Sequence, residues 1–175
     1  MTDKRESGED SEPGPLHGIR VLDFSMFLAG PYCSRLMADM GAEIIKVEPP
    51  GGDFLRNAPP FRDGRSAYFG HINCGKKSLR LDLKSAVGVE AIRRLMPSVD
   101  VVLENYRPGV MARLGLDYDT LSALRPELVF CSISGYGQTG PGSLRPAFAP
   151  IIHAASGYDL IMMGYQMGER SEGDA

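Results

Sequence analysis

The sequence predicts an open, mostly parallel α/β sheet with helices on both faces, and three observations carry that expectation. Short apolar runs compatible with buried strands recur along the chain at residues 19–24, 44–47, 79–83, 99–103 and 128–133. Helix-forming segments separate several of them, and the first strand, helix and strand fit within about 30 residues, the size of a βαβ crossover. The 175 residues carry 43% hydrophobic and 23% charged side chains, the balance of one globular domain of ordinary size.

The leader, 1–15, holds five acids against Lys4 and Arg5 with no apolar run, so it reads as a disordered acidic segment without a secretory signal. Ile19 to Phe24 is the first strand. Ala29-Gly30-Pro31 then opens a helix, because proline suits a first turn, and Gly41 stops it. On that helix Tyr32, Leu36 and Met40 share one face and Arg35 and Asp39 another. Ile44 to Val47 is the second strand. Residues 49–64 are dense in Pro and Gly and read as an irregular loop. Leu79-Arg80-Leu81-Asp82-Leu83 alternates as a half-buried strand does. Ser85 can cap a helix running to about Met96, with Val87, Ala91 and Leu95 at helical spacing. After the strand at 99–103, short helices are expected at 109–114 and 119–124, before the strand at 128–133. A glycine loop, 135–142, and an apolar helix from Pro150 to about Met163 follow, and the polar end at 168–175 reads as cut off rather than finished.

Composition excludes several function classes. The 19 basic and 22 acidic side chains leave a net charge of −3, and the part from Leu16 onward carries 17 of each, so nothing pulls the chain as a whole toward nucleic acid or an anionic membrane. Cys33, Cys74 and Cys131 are scattered and odd in number, which fits reduced thiols in a cytoplasmic protein. His71 and Cys74 lack a second pair at zinc spacing, so no metal site is expected. Cys33 near a helix start has no histidine close in sequence and reads as structural. Neither GxSxG nor HExxH occurs. Gly135-Tyr136-Gly137-Gln138-Thr139-Gly140 spells GxGxxG, but Pro141, Gly142 and Pro146 oppose the helix that such a dinucleotide site needs.

The cluster Glu104-Asn105-Tyr106-Arg107-Pro108-Gly109 falls where a strand gives way to a helix, and ligands of open α/β sheets bind at carboxyl ends of strands. An amide, an aromatic face, free N–H groups and the cations Arg107 and Arg113 can hold a nucleotide-like anion; a capped turn with solvated arginines accounts for the same residues.

Several segments together resemble the class III CoA-transferases, the group of formyl-CoA transferase, carnitine CoA-transferase and α-methylacyl-CoA racemase. They are HGIRVLDFS at 17–25, Ala29-Gly30-Pro31, LMADMGAEIIKVE at 36–48, KSLRLDLK at 77–84, DVVLENYRPGVMARLG at 100–115 and SISGYGQTGP at 132–141. The resemblance implies that residues 16–175 are the N-terminal portion of a large α/β domain of Rossmann type, incomplete here, in an enzyme that forms an interlocked homodimer. It implies no permanently bound cofactor, with coenzyme A or acyl-CoA and a carboxylic acid acceptor as substrates. An aspartate carboxylate attacks the acyl-CoA to give a mixed anhydride, and the CoA thiolate and the acceptor acid complete the exchange. Carried over residue by residue, Phe27, Leu28, Leu81, Lys84, Asn105, Tyr106, Arg113 and Leu114 face CoA. No catalytic residue is carried over: the nucleophile is expected beyond Ala175, and Asp159 and Asp174 sit in the wrong local motif. Leu28 and Pro146 replace a glutamine and a lysine of formyl-CoA transferase, and Pro49 a basic residue, which argues against its oxalate and formate chemistry. Phe148 stands where racemases of the group place a histidine, and its ring cannot transfer a proton. The alternative is a non-catalytic CoA-binding or subunit-interaction module.

Overall fold

A computed structural model describes residues 13–167. The chain divides into two units, one ending at Ile133 and one beginning at Ser134. Of the expected acidic leader, 1–12 lies outside the described residues, as does the polar end at 168–175.

The first unit holds seven strands, β1 (Arg20–Asp23), β2 (Glu43–Glu48), β3 (Phe61–Arg62), β4 (Arg65–Ser66), β5 (Lys76–Arg80), β6 (Val101–Glu104) and β7 (Val129–Ser132). Five of them form one parallel sheet in the order β5-β2-β1-β6-β7. Counting only those five, the third, second and first lie to one side and the fourth and fifth to the other, so strand order reverses between β1 and β6. That reversal is the place where open α/β sheets bind ligands.

Alternation along the strands sorts the core into two layers. Leu22 and Val102 face one cluster with Ile92, Met96, Met111 and Leu121, while Val21 and Leu103 face another with Ile44, Cys33 and Met37. The first cluster draws on α3 (Ala86–Leu95), α4 (Val110–Arg113) and α5 (Tyr118–Ser122), the second on α1 (Ala29–Asp39), so helices cover both faces. The expected fold class is the observed one.

Local differences have physical causes. The strand expected at 79–83 lies at Lys76–Arg80 instead, because the ladder to β2 runs from Ile44↔Lys76 to Glu48↔Arg80 and ends there. Leu81 and Leu83 keep their inward packing but belong to the loop that follows. Ser85 caps α3 as expected, accepting from Gly88 N at 3.0 Å. The buried positions on α3 are Gly88 and Ile92 rather than the face of Val87, which is 81% exposed. Likewise α1 buries Gly30, Pro31 and Ser34, leaving Tyr32, Leu36 and Met40 half exposed. Small residues are needed there because α1 starts against the end of β1. The loop at 49–64 contains a short 3₁₀ turn, Phe54–Asn57, and the β3–β4 hairpin begins within it; the helix α2 (Ala67–Ile72), capped by Ser66, follows. None of these three was expected.

In the second unit the glycine loop starts no helix at Gly140. The next helix, α6 (Ala149–Ser156), is separated from α7 (Tyr158–Met167) by Gly157 at φ +74°, so the single helix expected at 150–163 is two.

A Cβ on Gly88 would stand 2.1 Å from the Asp82 carbonyl oxygen, a backbone atom that cannot yield cheaply. Gly88→Ala is therefore expected to lower stability by about 1–3 kcal/mol, read as a reduced denaturation midpoint, although alanine favours helix.

Candidate functional site

At the carboxyl ends of β1 and β2, joined by Lys76 from the amino end of β5, the chain buries several charged side chains. Asp23 is fully buried: its Oδ1 accepts from Ser25 N at 2.8 Å and from Ser25 Oγ, and its Oδ2 from Ser34 Oγ at 2.5 Å and Lys76 Nζ at 3.2 Å. Lys76 donates also to Pro31 O and Asn73 Oδ1. Lys46 Nζ donates to Ser25 O at 2.7 Å and lies 2.9 Å from Asp53 Oδ2, an ion pair whose angles fall outside hydrogen-bond geometry. Glu48 takes the fork of Arg56 on both oxygens, with Ser78 Oγ and Asp53 N completing its shell.

These contacts pin the turn after β1. Asn105, just past β6, closes it from the other side: its Oδ1 accepts from Met26 N at 2.8 Å and its Nδ2 donates to Met26 O at 2.7 Å. Both peptide groups around Ser25–Met26 are thus fixed, and Phe27 sits at φ +62°, a left-handed conformation costly for a residue with a Cβ. Phe27 and Leu28 are about half exposed, and the Phe27 ring lies 6.2 Å from that of Phe54.

An open cleft of about 640 Å³ is lined by Leu83, Lys84, Val89, Arg93, Arg113 and Leu114, among others, with Glu90 as its carboxylate. Lys84 reaches it from the loop after β5, its N–H held by Asp82 Oδ1. Arg113 and Leu114 come from α4, which starts at Gly109 in a left-handed conformation, φ +81°. The cleft offers three cations over an aliphatic wall, a surface suited to an anion carried on an apolar or aromatic body.

Of the eight residues singled out in the sequence, Lys84, Arg113 and Leu114 line one cleft. Leu81 and Tyr106 pack against the core behind it. Burial, with Glu104 next, pushes the Tyr106 hydroxyl up to about 12. Asn105 spends its amide on Met26, and Phe27 and Leu28 stand on the turn it holds. The polar network around Asp23, Lys46 and Glu48 was missed. Its signal was present as charged residues inside otherwise apolar strands, at Asp23, Lys46 and Glu48.

The fold is an open α/β sheet whose strand order reverses between β1 and β6, with a cation-lined cleft that includes Lys84 from the loop after β5. The family model described as CoA-transferase family III matches residues 16–172. A succinyl-CoA:glutarate CoA-transferase of Mus musculus is 44% identical over 145 residues, covering 82% of this chain and 33% of the relative. A succinyl-CoA–D-citramalate CoA-transferase of Chloroflexus aurantiacus is 46% identical, covering 85% and 38%. The crystal structure of a CaiB/BaiF family protein from Brucella suis superposes with a TM-score of 0.78 at 39% identity, covering 83% of this chain and 40% of that one. The chain belongs to CoA-transferase family III, and it spans between a third and about two-fifths of the length of these relatives.

Two expectations follow from the buried charges. Replacing Lys46 by Met leaves Asp53 buried without its cation, and denaturant unfolding should show a loss of about 3–5 kcal/mol. Asp53→Asn in the same chain should restore part of it. For pH, burial raises the Glu48 carboxyl, but the Arg56 fork, Ser78 and the Asp53 amide outweigh it and hold it at about 2. Its stabilisation is complete above its ordinary value of 4.5 and is lost as pH falls toward 2. Lys76 is lowered as well, to about 8, by burial only partly opposed by Asp23, so here too stability gains as pH rises, from about 8 to 10.5. Thermal melts across pH should show both limbs, and Glu48→Gln should flatten the acid one.

Proposed function

We propose that this chain is the N-terminal portion of the large α/β domain of a class III CoA-transferase, moving CoA between an acyl-CoA thioester and a carboxylic acid. The observation that carries this is the convergence of Lys84, Arg113 and Leu114 in one cleft at the carboxyl edge of the sheet. The relatives named above are transferases of succinyl-CoA with glutarate or D-citramalate as the other acid, which supports acyl-CoA and a carboxylic acid as substrates.

In this reading Lys84 and Arg113 neutralise phosphate charge. Leu81, Leu114 and Tyr106 form the apolar floor, and the turn held by Asn105 presents Phe27 and Leu28 to the rest of the coenzyme. An aspartate carboxylate attacks the thioester carbonyl, forming a mixed anhydride as the CoA thiolate leaves. The thiolate then attacks the anhydride at the enzyme's carbonyl, releasing the donor acid, and the acceptor acid reverses the sequence. The nucleophile is not assigned to any described residue. Asp23, Glu48, Asp53 and Glu104 are buried to 4% exposure or less and already engaged by hydrogen bonds or ion pairs, and Asp82, exposed two residues beyond β5, accepts from Lys84 N in its own turn. Asp159 is exposed, 3.5 Å from His153 Nδ1, in the second unit. Coenzyme A enters as substrate, the working protein is an interlocked homodimer, and its free cysteines fit a cytoplasmic setting.

The same buried carboxylates favour a second reading, a CoA-binding or subunit-interaction module without transfer chemistry of its own. Both readings demand CoA binding. Isothermal titration should detect it in the chain, with no matching uptake of NAD, and Lys84→Ala and Arg113→Ala should each weaken it about tenfold or more. Binding unaltered by both variants refutes the assignment. Transfer between succinyl-CoA and glutarate by this chain alone would argue against a nucleophile beyond Ala175.

A further inference from the structure

The turn after β2 gathers two guanidinium groups and provides a carboxylate for only one. A Cβ placed on Gly52, which has φ +84°, would lie 3.1 Å from Arg56 Cδ, 3.5 Å from Arg56 Nε and 3.5 Å from Arg80 Nη2. Arg56 is matched on every side. Its fork is on Glu48, at 2.6 Å from each oxygen, and its guanidinium lies 4.0 Å over the Phe69 ring. Arg80 has no ion pair or hydrogen bond among the described residues. Glu48 cannot serve it as well, because Ser78 Oγ and Asp53 N take its remaining positions. Asp53 is turned inward to Lys46.

Arg56 is neutralised by Glu48, whereas Arg80 is an exposed, solvated cation beside it with no carboxylate partner among the described residues, so it can meet an arriving anion without breaking a contact. The place is accessible. Arg80 is exposed and is the last residue of β5, at the carboxyl edge where ligands of such sheets bind. Glycine at 52 leaves the space above the backbone without a Cβ.

Resting on the coenzyme reading above, we infer that Arg80, over the Gly51–Gly52 turn, is a second phosphate-binding position, distinct from the Lys84–Arg113 cleft. Coenzyme A carries phosphate at two places on its nucleotide end, a 5′-diphosphate and a 3′-phosphate. Arg80 and Lys84 flank the three-residue segment Leu81-Asp82-Leu83, so their Cα atoms, four residues apart, are separated by no more than about 14 Å. That span matches a ligand with two separated phosphate groups better than a single small carboxylate. The planar fork of arginine suits a phosphate oxygen pair, and a lysine at 80 would keep the charge without the fork. The residue acts on affinity and on discrimination among phosphorylated forms, not on the chemical step.

The test is titration of the full chain, wild type, Arg80→Gln, Arg80→Lys and Lys84→Ala, with CoA and with 3′-dephospho-CoA, each protein first checked for an unchanged melting temperature. Arg80→Gln is expected to weaken CoA about tenfold, with Arg80→Lys between it and wild type. If the loss disappears with 3′-dephospho-CoA, Arg80 holds the 3′-phosphate; if it persists, Arg80 holds the diphosphate; either supports the inference. Unchanged affinity of Arg80→Gln for both ligands, while Lys84→Ala loses affinity, overturns it and leaves the coenzyme reading standing. No CoA binding by the wild type overturns both.

Discussion

Everything at the carboxyl edge depends on one constraint: the peptide groups that follow β1 are held by side chains from β1 itself, from β2 and from just beyond β6. Asp23 holds the Ser25 amide, Lys46 from β2 holds the Ser25 carbonyl, and Asn105 beyond β6 holds both groups of Met26. Asp23 is matched by Lys76 and Ser34, while Lys46 is matched in charge by Asp53 without hydrogen-bond geometry. A half-satisfied network of this kind would cost several kcal/mol, whereas a complete one fixes geometry. The outcome is a turn rigid enough to hold Phe27 in a conformation that its own side chain disfavours.

This arrangement divides labour between residues that face outward and residues that hold them in place. Asn105 is the clearest example. Residue type and position alone make it a ligand contact, and the structure uses both ends of its amide as though it were a strand of one residue pairing with Met26. Tyr106 is next in sequence and faces the core, its amide taken by Glu104 at 2.7 Å. The cations that remain available, Lys84, Arg113 and Arg80, lie on a loop, at the end of α4 and at the end of β5, where the backbone is fixed but the side chain is not.

The sequence carried the architecture because hydrophobic alternation and capping are local signals. Val21, Leu22, Ile44, Val102 and Leu103 lie buried as their strands required, and Ser85 caps the helix that it precedes. What was illegible depends on contacts far apart in the chain. β5 ended three residues early because β2 ended, a fact of ladder register rather than of the alternation in residues 79–83. Gly88 and Gly30 displaced the larger apolar residues from the buried faces of their helices because backbone and polar atoms approach there too closely for a side chain. The cleft cations were nameable one by one, through the resemblance. The network beneath them was not, since Lys46, Glu48 and Asp53 gain meaning only from partners 5 to 30 residues away.

The cationic cleft is open to solvent, and this sets how the molecule meets its ligand. At physiological ionic strength the attraction of exposed charges fades over about 8 Å, so Lys84 and Arg113 act only once an anion has nearly arrived. On the coenzyme reading, multivalent buffer anions such as sulfate or inorganic phosphate would compete for the same surface. Apparent affinity is consequently a joint property of the protein and its electrolyte, whereas the sealed pairs beneath, Asp23 with Lys76 and Lys46 with Asp53, are indifferent to it.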